Sequence, residues 1–250
     1  MNLLAFDTST ETMSIALARG QRLWQHTGTG GAQASTTLIP AINAMMAEAN
    51  LAFGELDAIV FGNGPGSFTG LRTACSVAQG LAFGASATFK TGASAECSVP
   101  VLPVDTLLAI AEEARHQQGV HRVMAVLDAR MDEIYAAAYV FEDGRWTQQE
   151  DFRLVRPESL VLAPGFTLAG NAMAAYGDRL PAPQPGVAHL HALHALPTAT
   201  AMLRLAPALL AAGLGLPADQ ALPRYIRDKV AKTTDERAAE KAALSATPSH

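Results

Sequence analysis

The stretch from Phe61 to Arg72 constrains this chain most, because Gly62, Gly64, Gly66 and Gly70 crowd with Pro65 between a hydrophobic run and a helix-like segment. Leu56–Phe61 before it reads as a buried strand, and Leu71–Leu81 after it reads as a helix of small residues. The unit is therefore strand, glycine-rich loop, helix. Glycine reaches positive φ and lets backbones approach closely, and a helix N-terminus offers N–H groups and the positive end of its dipole. Two readings stay open for Gly62, Gly64, Pro65, Gly66, Ser67 and Gly70: an anion site, or a tight turn that packs the helix on its strand. No Gly-Lys-Ser/Thr closes the loop and no Gly-x-Gly-x-x-Gly occurs, which excludes the commoner phosphate motifs. Ser67 is off-centre between Gly66 and Gly70, so there is no Gly-x-Ser-x-Gly elbow for a serine hydrolase.

With 250 residues, 49% of them hydrophobic, the chain can bury one large core or two smaller ones. A net charge of −5 lacks the basic footprint that independent nucleic-acid binding needs, so any such role is expected to be shared with a partner. Cys75 and Cys97 are the only cysteines, which fits a reducing compartment and offers neither a disulfide framework nor a cysteine metal site. The N-terminus lacks the basic region of a secretory leader, and no apolar run is long enough for a bilayer. A cytoplasmic protein with no membrane contact is expected.

Leu3–Phe6 ends in Asp7-Thr8-Ser9-Thr10, a strand followed by turn-formers, and Met13–Ala18 and Arg22–His26 follow across Gly20. Turns this short dictate an antiparallel three-strand meander. Leu38, Ile42, Met45, Met46 and Ala49 then recur at helical spacing, and a helix over 68–83 follows the glycine loop. Residues 85–98 are small and polar and read as an irregular connection. Val99–Val104 reads as extended, with prolines unsuited to a central ladder position. Asp105 sits where an N-cap belongs before the stripe Leu107, Leu108, Ala111 and Ala114.

The chain then repeats itself. Val123–Arg130 parallels Asn2–Ser9, Glu133–Val140 parallels the second strand, Gly144 parallels Gly20 and Trp146 parallels Trp24. Two related α/β domains are the expectation, 1–104 and 105–228, facing each other across a cleft with an aspartate turn from each. Chance likeness between two hydrophobic meanders is the alternative. Further on, Pro157–Leu162 reads as a short helix and Phe166–Asn171 as a strand and turn. Residues 181–186 read as a loop. Thr198–Ala212 is an apolar helix that Pro207 is expected to kink or divide, and that is free to pack back on the first domain. Pro223–Arg227 is extended with a basic tip, and 229–250 reads as a disordered tail.

Asp7 with Thr8, Ser9 and Thr10 has the makings of a nucleotide site, in which a strand-end carboxylate holds hydrated magnesium and the hydroxyls receive phosphate oxygens. An Asx turn closing the hairpin is the plainer reading, and the residues alone favour it. His189, His191 and His194 lack helix spacing and a nearby acid, so no metal site is expected. Asp128 and Arg130 either pair within their turn or face the cleft.

Taken together, Leu4–Thr10, Gly62–Arg72, Leu127–Arg130 and Pro223–Arg227 resemble the TsaB (YeaZ-like) family of tRNA threonylcarbamoyladenosine biosynthesis proteins, in the expected order over residues 1 to about 228. The resemblance implies the actin-like, ribonuclease-H-like ATPase fold with two duplicated domains. It implies a role in placing threonylcarbamoyl on the adenosine beside the anticodon of tRNAs that read A-starting codons. In that family the chemistry belongs to a paralogue, TsaD, which carries a His-x-x-x-His metal pair that is missing here. The expected role is therefore a non-catalytic scaffold with no cofactor of its own, leaving open ATP at the level of subunit or complex. An ATP-dependent phosphotransferase is the competing reading. The resemblance further implies a heterodimer with TsaD, joined by TsaE, with tRNA met only through the complex. The interface would use the first two helices, at Leu38, Ile42, Met45, Met46, Leu71, Arg72, Ala74, Cys75, Ala78 and Gln79, the same surface offering self-association to the isolated chain. Two departures stand out: Phe89–Ser98 looks like an insertion, and the first helix lacks the histidine often found near its start.

Overall fold

The computed structural model describes residues 1–89, 99–181 and 192–227. Most of the expected connection at 85–98, the loop at 182–186, Cys97, His189, His191 and the tail at 229–250 lie outside these residues. The first half opens with β1 (Asn2–Asp7), β2 (Thr12–Arg19) and β3 (Arg22–Thr29), an antiparallel meander as the short turns dictate. Then come α1 (Ala34–Glu48), β4 (Ala58–Gly64), α2 (Phe68–Phe89) and β5 (Val101–Asp105). β4 runs parallel to β1, and β5 parallel to β4, giving the order β3-β2-β1-β4-β5. Pro103 thus lies on an edge strand, where a missing donor costs least.

The second half is built the same way. After α3 (Thr106–Gln118) come β6 (Arg122–Arg130), β7 (Glu133–Glu142), β8 (Arg145–Gln148), β9 (Arg153–Val155), β10 (Thr167–Gly170), α4 (Ala172–Tyr176), β11 (Ala192–His194) and α5 (Ala199–Ala211). The sheet order is β11-β10-β6-β7-β8, again two antiparallel pairings followed by two parallel ones, with β9 added against β7. The repeat read from the sequence is a repeat of topology.

Burial explains why β1 and β4 read as unbroken apolar runs: both of their faces are covered. Leu4, Phe6, Ile59 and Phe61 pack with Leu38, Ile42, Ala74 and Ala78 from α1 and α2. Leu3, Ala5, Ala58 and Val60 pack on the other side with Ala199, Met202, Leu205 and Ala206 from α5. The last α-helix among the described residues therefore covers the first sheet. Its neighbour α3 joins the halves, since Ala109 belongs to that core while Leu107, Ile110 and Ala114 belong to the core of the second sheet. At this seam Glu112, only 2% exposed, accepts from Arg115 Nε (2.9 Å), Arg204 Nε (2.9 Å) and Trp146 Nε1 (2.9 Å).

Three expectations are corrected, and a fourth, the N-cap, holds in position only. Residues 85–89 continue α2 rather than forming an irregular link, because alanine, the best helix former, extends the buried line Ala74, Ala78, Ala82 and Ala85. α5 runs undivided through Pro207, which sits on its exposed side. Pro157–Ser159 forms a single 3-10 turn, not a helix reaching residue 162. Asp105 holds the N-cap position of α3 without a side-chain cap; its carboxylate pairs instead with Arg224 Nη1 at 3.3 Å.

Candidate functional site

Asp7 ends β1, and the chain turns sharply because Asp7 Oδ1 accepts from Ser9 N (2.9 Å) and Ser9 Oγ (2.7 Å). This is the Asx turn of the plainer reading. Asp7 is fully buried and its Oδ2 has no hydrogen-bond partner among the described residues. Burial pushes its pKa up to about 7, with the two Ser9 hydrogen bonds pulling the other way. The glycine-rich loop seals the turn. A Cβ at Gly62 would lie 1.8 Å from Asp7 Oδ2, and one at Gly70 would lie 1.8 Å from the Thr8 carbonyl oxygen. Any side chain at either place would push the two segments apart. Ser67 N donates to the Ser9 carbonyl (2.8 Å) and Thr8 Oγ1 donates to the Gly70 carbonyl (2.7 Å), so loop and turn are laced together. Gly70 serves close approach of backbone to backbone and Gly62 leaves room for the Asp7 carboxylate, the tight-turn reading of the loop. Pro65, Gly66 and Ser67 form the face of the loop turned towards the cleft.

The second half repeats the turn with one change. Asp128 Oδ1 accepts from Arg130 N (2.8 Å) as Asp7 Oδ1 does from Ser9 N, and also from Tyr176 Oη (2.9 Å). Asn171 Oδ1 accepts from Asp128 N (2.9 Å). Arg130 both pairs with Asp128 (3.3 Å) and reaches across to Glu11, so it lies in its turn and in the cleft at once. The two aspartate turns border a cavity of about 740 Å³ between the halves. Ser9 and Thr10 line it from one side, Asp128, Arg130, Tyr135, Asn171 and His194 from the other, and Arg224–Arg227 across the front. Asp7 and Thr8 are not among its walls, so the carboxylate that would hold magnesium is closed off from it. No group of three or more histidine, cysteine or acidic side chains among the described residues is placed to hold a metal ion.

The helical stripe expected to meet a partner turns inward. Leu38, Ile42, Met45, Met46, Ala74, Cys75 and Ala78 all belong to the chain's own core, and Leu71 is buried as well. Gln79 is half-buried and donates to the Ala221 carbonyl (2.9 Å), while Arg72 is exposed and lies over the Phe68 ring (3.9 Å). Hydrophobic periodicity marks the face that a helix turns to the core of its own chain. The outward faces carry Ile39, Asn43 and Ala44 on α1, and Ser76, Gly80 and Phe83 on α2. Phe83 is 73% exposed. Sequence reasoning missed this face because exposed apolar residues are ordinary one at a time. It also missed the partnership of Arg72 and Phe68 with Tyr225, which lies more than 150 residues away along the chain.

Two halves of identical strand order, each opening with a meander whose first strand ends in an aspartate turn, define the actin-like, ribonuclease-H-like class of α/β proteins. A family model described as TsaD, tRNA N6-adenosine threonylcarbamoyltransferase, matches residues 29–247. The Escherichia coli tRNA threonylcarbamoyladenosine biosynthesis protein TsaB is 30% identical over 237 residues, 92% of this chain and 96% of that one. Its Haemophilus influenzae namesake is 39% identical over 151 residues, 58% of this chain and 56% of the other. The solved structure of YeaZ from Pseudomonas aeruginosa superposes with a TM-score of 0.76 at 36% identity, covering 90% of this chain and 99% of that one. The chain belongs to the TsaB family, within the wider family of the threonylcarbamoyltransferase TsaD.

Proposed function

We propose that this chain is the scaffold subunit of an assembly that places threonylcarbamoyl on the adenosine beside the anticodon of tRNAs reading A-starting codons. The likeness, over 92% of this chain, to an Escherichia coli protein named for threonylcarbamoyladenosine biosynthesis supports the pathway. The observation that carries the scaffold reading is Phe83, 73% exposed on the long helix α2, whose opposite face is core. A bare aromatic ring beside Gly80 and Ser76 is the kind of anchor that a partner's pocket covers. The occupant proposed here is a TsaD-type catalytic subunit, with TsaE joining the pair. Transfer chemistry and any ATP then belong to the assembly. An acidic chain meets tRNA through its partners, consistent with the net charge of −5. The Asp7 turn, which motivates a phosphotransferase, supports that alternative poorly, because its carboxylate is sealed by Gly62. No helix among the described residues is long and apolar enough to cross a membrane.

Reconstitution tests the proposal. Modification of tRNA by TsaD and TsaE should depend on adding this chain and should fall to background with Phe83→Glu, a surface change that leaves the core intact. Full modification with this chain omitted would refute the scaffold role.

A further inference from the structure

The segment singled out in the sequence as extended with a basic tip crosses from one half to the other. It leaves the first half at Ala221, whose carbonyl accepts from Cys75 Sγ (3.3 Å) and Gln79 Nε2 (2.9 Å) on α2. Arg224 N donates to the Asn63 carbonyl (2.6 Å) at the end of β4. The carbonyl of Arg224 passes so close that a Cβ at Gly64 would lie 2.4 Å from it, and Gly64 holds φ at +123°, so glycine is doubly required there. Tyr225 stacks on Phe68 (4.7 Å between ring centres) and its hydroxyl accepts from Arg72 Nε (3.0 Å). From there the segment grips the second half. The Arg224 guanidinium lies over the Phe152 ring (4.3 Å), Ile226 packs against the core of the second sheet, and Arg227 pairs with Glu133 and donates to the Arg130 carbonyl (3.3 Å). Residues Arg224–Arg227 also wall the cavity.

We infer that residues 221–227 are a latch: they tie the two halves together across the mouth of the cavity, and their hold is set from α2. Two-lobed chains with a cleft between the lobes move by hinging unless ties cross the gap. Here the tie is anchored on Arg72, Cys75 and Gln79 of the same helix that exposes Phe83 on another face. Movement of α2 and loosening of the cavity wall are therefore one event. This follows from the contacts of the chain alone and holds whatever its partner.

Amide hydrogen exchange on the intact chain tests the latch. Arg72 is exposed, and its hydrogen bond and ring contacts among the described residues are to Tyr225 and Phe68, so Arg72→Ala should leave the fold intact. The latch requires exchange to speed up about fivefold both at 224–227 and, remotely, at the β6–β7 turn over 128–135, the scale that one net hydrogen bond sets for a local opening. Arg72→Lys, which can still donate to Tyr225, should restore most of the protection. In the opposite direction, Arg227→Ala should speed exchange at 68–73, since coupling is reciprocal. A change confined to 68–75 and 221–227 in Arg72→Ala, or no change at either place, would show that the segment is local trim and overturn the inference.

Discussion

Asp7 shows how one residue can be legible as a motif and misleading as chemistry. Its position at a strand end beside three hydroxyl residues suits a metal and phosphate site, and the sequence cannot say which way the carboxylate points. The structure turns it inward, against a glycine that leaves it just enough room. That burial has a measurable cost. A carboxyl whose pKa is moved from 3.8 to about 7 on folding ionises first in the unfolded chain. Its contribution to stability is thus fully present below about pH 4 and is lost as the pH rises to about 7, by about 4 kcal/mol in all. Asp7→Asn, which does not titrate, removes this dependence whatever it does to the baseline. Denaturant titrations of both proteins at pH 4, 5.5 and 7 should show the difference in unfolding free energy, wild type minus variant, falling by about that amount. A constant difference would place the ionised carboxylate in a better-solvated site than the one described.

At the scale of elements, α3 and α5 hold the halves together, and the pair was only half legible. Their apolar stripes were visible in the sequence, but which sheet each would cover was not, because α5 returns to a sheet whose strands end more than 90 residues earlier. Nor does periodicity foretell Glu112, a charge on the buried side of α3. Burial raises its pKa, but Arg115, Trp146 and Arg204 outweigh that and hold it below the usual carboxylate range. Its stabilisation is therefore present above about pH 4.5 and lost as the pH falls further, opposite in sign to that of Asp7. Glu112→Ala leaves Arg115 and Arg204 facing each other without it and should destabilise the chain by about 3 kcal/mol, at the lower end for a broken buried pair because both arginines reach solvent. Equilibrium unfolding in urea at pH 7 measures this. A loss below 1 kcal/mol would mean that Glu113, which also binds Arg204, carries the seam alone.

For the molecule as a whole, the fold was readable because it occurs twice. The meander, aspartate turn and parallel continuation recur, and each copy supports the other. The docking face proposed above was not readable, for a physical reason: periodicity reports the face a helix buries in its own chain, while a surface met by a separate partner has nearly ordinary composition. Residues such as Leu38 and Ala78 were expected at a partner and lie in the core, whereas Phe83 drew no notice in the sequence. The glycine block reads accordingly as the joint that fixes the start of α2 against the Asp7 turn, so that the helix presents its outer face from a rigid base. The direct test of that account is the affinity of this chain for a TsaD-type subunit, measured by titration calorimetry with wild type and Phe83→Glu at equal salt. The expected result is a loss of at least about 2 kcal/mol, roughly thirtyfold in Kd, the size of an interface hot spot. An unchanged Kd would contradict the claim that the outer face of α2 is where the partner docks.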